Sequence, residues 1–582
     1  MKTITKFWAV TIALIALISC VNEDQEKLDL SKANILISPQ IKSPIQQTAG
    51  EVLVEEIEKR TALHLRVSDK WESNTTIAIA LENDNELFGK TPPSKSISIP
   101  EDLKAEGYHI FHERDGNQNI IWILGSDTRG ILFGVGKLLR LANMKDGEIT
   151  INSSINISEA PEYPLRGHQF GYRNTANSWD AWTVEQFDQH FREQVLFGAN
   201  SFENIPFQKV NSSPHFKVNP QLMEVELSKI CEKYDAEYWV CAKCPRLDGV
   251  FVPGGDPGEN HPAQLIPYLN DLSAILKKYH PEAGIWVSLQ GFNKEKVDYF
   301  FDYLEQHNPD WLKGLVYGPS SPPIALERKL LPKKYLHRFY PDITHTVRCQ
   351  YPVDNWDQAF ALTLGREPCN PQPLMYTDLF VRDSQFTDGF ITYSDGTHDD
   401  VNKVLWSQLG VNPQKDPKEI IMEYSRFFFG EEVAEEATEG IFALEKNWDG
   451  PIISNDAIKK TLELWKRLEV DNPQLAENWR WQQLVMRAYY DAYIKDRLVF
   501  EKGLEAEAYK ILARAETIGA DEAMHDALQQ LKKATIEMVS QDLKEKVFVY
   551  GEKLFQSIGA QLSVEKYQAR SAERGAILDF ID

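Results

Sequence analysis

Carboxylates, amides, histidines and aromatic rings recur in this chain just after short apolar runs. GVFVPGGDPGEN ends its run in Gly254-Gly255-Asp256, which removes two side chains before presenting an acid, so that a ligand can approach the backbone. ANSFENIPF supplies Glu203 and Asn204, and GIWVSLQGF leads to Gln290 and Asn293. LHRFYPDITH carries Arg338, Tyr340, Asp342 and His345, and DGFITYSDG leads through Tyr393 and Asp395 to His398, Asp399 and Asp400. RGHQFGYR offers His168, Gln169, Tyr172 and Arg173, followed by NSWDAW with Trp179 and Trp182. If these ends meet at one mouth, they provide acceptors for hydroxyls, ring faces for the C–H face of a sugar and acids for a glycosidic oxygen. No close metal-ligand spacing accompanies them, and no cofactor or metal is expected.

Two reactions suit such a mouth. A glycosidase needs two carboxylates across the scissile bond, about 5–5.5 Å apart for retention and roughly 6.5–9.5 Å apart for inversion. Asp256 and Asp395 are the leading pair for an exo-acting hydrolase, with Asp342 and Glu203 as alternates. A uronic acid instead has a proton α to its carboxylate. His345, His168 or a tyrosinate could remove that proton if Arg173, Arg338 or Arg348 neutralised the developing charge, giving unsaturated sugars by elimination. A non-catalytic glycan-binding protein would use the aromatic residues but has little need for so many acids.

The runs themselves argue for the scaffold. Eight of them, at 166–173, 199–207, 236–243, 249–256, 284–292, 314–319, 336–345 and 388–396, alternate with segments of helical period such as VEQFDQHFREQVLF. Parallel strands with helical crossovers predict a (β/α)₈ TIM-like barrel over 158–414, whose chemistry belongs at the strands' C-terminal ends. The connection between the third and fourth runs is too short for a full helix. Ahead of the barrel, residues 34–157 alternate strands and helices, as expected of a small α/β domain. From 415 to 582 strand signals vanish, and amphipathic helices predict an α-helical C-terminal domain.

GSDTRG running into ILFGVGKLLRL is similar to the non-catalytic domain that precedes the barrel in family 20 β-hexosaminidases and family 67 α-glucuronidases. PEYPLRGHQFGYR is similar to the Pro-x-x-Arg-Gly stretch that opens the family 20 barrel, and the overall order also resembles family 89 α-N-acetylglucosaminidases. The resemblance implies an exo-acting glycosidase for uronic acid or N-acetylhexosamine termini. Family 20 enzymes end strand four with Gly-Gly-Asp-Glu, the aspartate steering an acetamido group and the glutamate acting as general acid. Here Asp256 is followed by Pro257, and Glu259 stands three positions after the aspartate. The aspartate carries over and the adjacent acid does not, leaving Glu259, Asp395, Asp342 or Glu203 to supply it.

Lys plus Arg total 63 against 86 Asp plus Glu, a formal charge of -23 that argues against a nucleic-acid surface. Lys2, Lys6, the apolar run from Phe7 to Ile18 and Leu17-Ile18-Ser19-Cys20 resemble a bacterial lipoprotein signal, residues 1–20. This implies acylation of Cys20 and a membrane anchor joined by a linker, 21–33. The tract Asn22-Glu23-Asp24-Gln25-Glu26 resembles the surface-export tether of Bacteroidetes lipoproteins, so an outer-membrane, cell-surface location is expected. The other five cysteines form no disulfide framework, and Cys241-Ala-Lys-Cys244 lacks a nearby second pair for zinc.

Overall fold

The computed structural model describes residues 26–72, 74–93, 103–173, 178–205, 212–239, 244–253, 260–572 and 574–582. Eight strands close into a barrel in sequence order: Leu165–Phe170, Ser201–Asn204, Glu237–Trp239, Gly249–Pro253, Gly284–Ser288, Leu312–Tyr317, Leu336–Phe339 and Gly389–Thr392. Every neighbouring pair is parallel, including the closure of the eighth on the first. We refer to these strands as one to eight.

The crossover helices start where the sequence supplies caps. Thr183 and Gln186 form a reciprocal capping box before Val184–Leu196, while Asn219 and His261 cap Pro220–Lys233 and Pro262–Tyr279, each opening on proline. Strands three and four are joined without a described helix and, among the described residues, pair at Trp239 and Gly249. A Cβ on Gly249 would lie 2.7 Å from the Trp239 indole, so glycine lets the strands meet there.

Ahead of the barrel lies a six-stranded mixed sheet in the order Arg66–Ser68, Asn34–Ile37, Thr75–Leu81, Gln118–Gly125, Tyr108–Asp115 and Asn156–Glu159. Helices Ile45–Thr61 and Thr128–Leu141 accompany it, the second capped by the Asp127 carboxylate accepting from the Gly130 N–H. One segment departs from expectation: Lys27–Asp29, inside the expected linker, is a strand pairing with Glu148–Asn152. Backbone pairing overrides the polar composition there.

Helices Pro417–Phe429, Glu431–Lys446, Ala457–Asp471, Trp479–Leu512, Ala520–Lys532 and Gln541–Ile558 complete the architecture. Buried ion pairs fasten the layers: Arg166 and Arg129 both hold Glu106, and Lys137 and Arg140 hold Glu423 on the first of these helices. Burial alone would raise the Glu423 carboxyl, but Arg140, Lys415 and Lys137 outweigh it and hold it well below the usual range. Among the described residues no helix is long and apolar enough to cross a membrane.

Candidate functional site

Strand eight is buried along its whole length, and period two puts Ile391, Tyr393 and Asp395 on one side, the last two at the C-terminal rim. Asp395 is wholly buried and fully engaged. Arg173, from the exit of strand one, donates through Nη2 to both carboxylate oxygens at 3.0 and 3.2 Å. Arg574, from the C-terminal segment, donates to Oδ2 at 2.7 Å, and the Tyr393 hydroxyl donates to the same oxygen at 2.9 Å. Burial would raise this carboxyl, but the two guanidinium groups, Arg173 foremost, outweigh it and hold it below the usual range.

A second carboxylate stands beside the first. Arg574 Nη1 also donates to Glu367 at 2.9 Å, and Glu367 in turn meets His345 Nε2 at 3.2 Å. The other ring nitrogen of His345 bonds Asp342 at 3.0 Å. Burial would lower this imidazolium, yet the hydrogen bonds to Asp342 and Glu367 lift it to about 9, so it is protonated at neutral pH. Asp342 further fixes the turn by accepting the Thr344 and His345 backbone N–H groups at 3.3 and 3.2 Å.

Nitrogen and carboxylate atoms of His345, Glu367 and Asp395 lie within 4.8 Å of one another, as a metal site would require. Arg574 bridges both carboxylates and already supplies the positive charge a cation would bring. The donor set fits an arginine better than a metal.

Beneath this rim, the barrel interior holds a second polar centre. Arg338 donates to Glu203 at 2.7 Å, Gln169 donates to the other Glu203 oxygen at 3.0 Å, and the guanidinium packs over Trp239 and Phe251. Arg338 Nε and Nη2, Gln169 Oε1 and Arg173 Nε are buried and find no partner among the described residues. Tyr340 edges against Phe251 and Tyr393, and Tyr340 and Gln290 both approach Gly318.

Four expected substrate contacts are placed otherwise. His168 faces outward with Arg166 and Phe170, bonding Thr392 at 2.9 Å and Ser407 at 2.7 Å; burial holds it well below its usual range, and it is a neutral structural group. Tyr172 packs on Phe187 and Phe216, and its hydroxyl donates to the Val218 carbonyl at 3.0 Å. Trp179 is fully buried among Trp182, Phe187 and His190, so it is core and no sugar platform. His398 turns its Nε2 to Thr344, 2.7 Å from Oγ1, and lines a small cavity with Ser178, Cys369 and Leu562. Asp399 pairs with Lys403 one turn along its own helix, and Asp400 pairs with Arg480 as a tie to the helical layer.

Asp256, Glu259, Cys241 and Cys20 lie outside the described residues. Cys231, Cys244 and Cys369 are buried free thiols. The groups that sequence reasoning missed are Glu367 and Arg574: neither follows a strand, and nothing in GREPCNP or SAERGAILDF marks them beyond charge amid apolar neighbours.

No family model matches the chain, and no curated protein matches it significantly. Among solved structures it is similar to a family GH115 4-O-methyl-alpha-glucuronidase with specificity for decorated arabinogalactans, at 11% identity and a TM-score of 0.54, covering 91% of this chain and 80% of that one. It is also similar to a GH138 enzyme targeting pectin rhamnogalacturonan II, at 11% identity and a TM-score of 0.53, covering 94% and 99%. A GH20 beta-N-acetylhexosaminidase from Streptomyces coelicolor A3(2) is more distant, at 10% identity and a TM-score of 0.41, over 76% and 92%. The fold is that of glycan-active barrel enzymes, and fold alone does not fix a reaction.

Proposed function

We propose that this chain is a carbohydrate-active enzyme for uronate-terminated oligosaccharides and that it eliminates across the uronate ring. One observation carries the reading: Arg173 and Arg574, whose side chains are 19% and 25% exposed, converge on one buried carboxylate. Two guanidinium groups held together by Asp395 form a ready-made seat for a second carboxylate, that of the substrate.

The chemistry follows from competition for those cations. An incoming uronate draws on Arg173 and Arg574, which neutralise the charge spreading onto its carboxylate as the α-proton leaves. Asp395, relieved of part of its pairing, rises in basicity and takes that C5 proton. The C5–H electron pair forms the C4–C5 double bond while the C4–O bond breaks. The departing oxygen takes a proton from His345, which Asp342 and Glu367 keep charged, and leaves as water or as the hydroxyl of the next sugar.

Hydrolysis is the second reading. It is favoured by the glycoside hydrolase neighbours and by the acids Asp256 and Glu259, which follow strand four in sequence and could furnish a general acid. Both readings start from carboxylates already paired in the mouth, Asp395 with Arg173 and Arg574 among them, and it is the double guanidinium seat that favours elimination.

Mass spectrometry of products from uronate-terminated oligosaccharides separates the two. Elimination gives loss of water, or cleavage without its uptake, with a new unsaturated-uronate absorbance. Products that together gain one water would assign hydrolysis instead. With a lipoprotein-like start, the same proposal places the enzyme on the outer membrane, handling oligosaccharides cut from a larger polymer; labelling of Cys20 with a fatty-acid probe tests that placement.

A further inference from the structure

The WDAW segment after strand one does not line the mouth, yet it touches the part of the molecule that completes it. Trp179–Ala181 forms a single 3₁₀ turn. Its central residue, Asp180, is 1% exposed and accepts from Gln561 Nε2 at 2.7 Å and from the Ser213 hydroxyl at 2.5 Å. Either side, the Trp182 indole N–H donates to the Ile558 carbonyl at 2.9 Å, and a Cβ on Gly559 would lie 2.3 Å from Ala181. Gly559 has φ +67, a conformation that glycine adopts at little cost. One turn of the barrel thus meets the chain at three points, Ile558, Gly559 and Gln561.

From there the chain doubles back on itself. Leu578 donates its N–H to the Leu562 carbonyl at 3.0 Å, while the Ser563 hydroxyl and the Val564 N–H donate to Asp579 at 2.6 and 2.7 Å. Arg574 lies within the loop that this pairing closes. The segment behaves as a strap, anchored at Asp180 and tipped by the guanidinium that reaches Asp395 and Glu367.

We infer that Asp180 is a positioning residue: through Gln561 it seats the C-terminal strap so that Arg574 can form half of the carboxylate clamp. This rests on the clamp reading above. Both bonds to Asp180 come from donors, so they suit an ionised carboxylate. Burial lifts this carboxyl to about 6, opposed by the bonds from Ser213 and Gln561. The titratable groups facing it are His215, on the segment after strand two, and Tyr172, at the exit of strand one, with Lys403 over the neighbouring Trp179 ring. Protonation would turn one acceptor oxygen into a donor and loosen the strap.

The test measures binding of a glucuronate-terminated trisaccharide and of its carboxyl-reduced counterpart to wild type, Asp180→Asn, Gln561→Met, Arg574→Ala and the double variant Asp180→Asn/Arg574→Ala. Arg574→Ala is expected to lose roughly tenfold or more in affinity for the acid and little for the reduced sugar. Asp180→Asn and Gln561→Met should lose the same preference in part, and the double variant should match Arg574→Ala alone. Wild type should also lose preference for the acid below pH about 6, and Asp180→Asn should not. If both single strap variants keep the preference, or if the double variant loses additively, the positioning role is overturned while the clamp stands. If Arg574→Ala keeps the preference, the clamp reading and this inference fall together.

Discussion

The two halves of the barrel are unlike. Strands one, two, seven and eight are sunk in a single apolar core that runs without interruption through the N-terminal sheet and the C-terminal helices, including Phe170, Phe202, Phe339, Phe390, Trp406 and Trp481. Strands four to six and their helices have a separate core around Leu269, Val287, Phe300 and Leu315, and the outer faces of those helices expose Tyr268, Ile275, Tyr279 and Tyr299. The paired charges of the candidate site sit on the first half. Holding like charges near one another in fixed geometry calls for rigid support, which the doubly covered half provides.

That contrast can be broken by substitution. Asp395→Asn should have the largest effect, lowering kcat/KM by about 10²–10⁴-fold through loss of the proton acceptor, as read by steady-state kinetics on a uronate-terminated substrate. Arg173→Ala should come next, costing about 1.5–3 kcal/mol in affinity for the acidic substrate through loss of a charge-assisted pair, measurable by calorimetry. His345 gives a pH signature. Its raised value means that its stabilising contribution is full below its ordinary 6.5 and lost as pH rises through about 9, so turnover and melting temperature should both fall over that window. His345→Gln should flatten the fall. On the other half, Tyr279→Ser should change stability by no more than about 0.5 kcal/mol and leave turnover intact, which chemical denaturation and the same kinetics check.

The same division explains what could be read from residue order. All eight strands announce themselves as short apolar runs, because a barrel strand is packed on both faces and its composition carries the signal. Asp395, Tyr393, His345 and Arg173 are legible as strand-end residues. His168 is not separable from Gln169 in that way, since alternation says that the two face opposite sides without saying which side is the mouth. Trp179 looks like a sugar platform and is core, because aromatic residues serve both purposes with the same composition. Glu367 and Arg574 escape because loops and tails bring them in by tertiary packing alone.

Arg574 lies 179 positions beyond the Asp395 that it contacts. A ribosome adding about 5–20 residues per second needs roughly ten to forty seconds to cover that distance. Until then Asp395 has Arg173 and Tyr393 beside it but not Arg574, so the proposed carboxylate clamp would be completed only after the rest of its residues have been made.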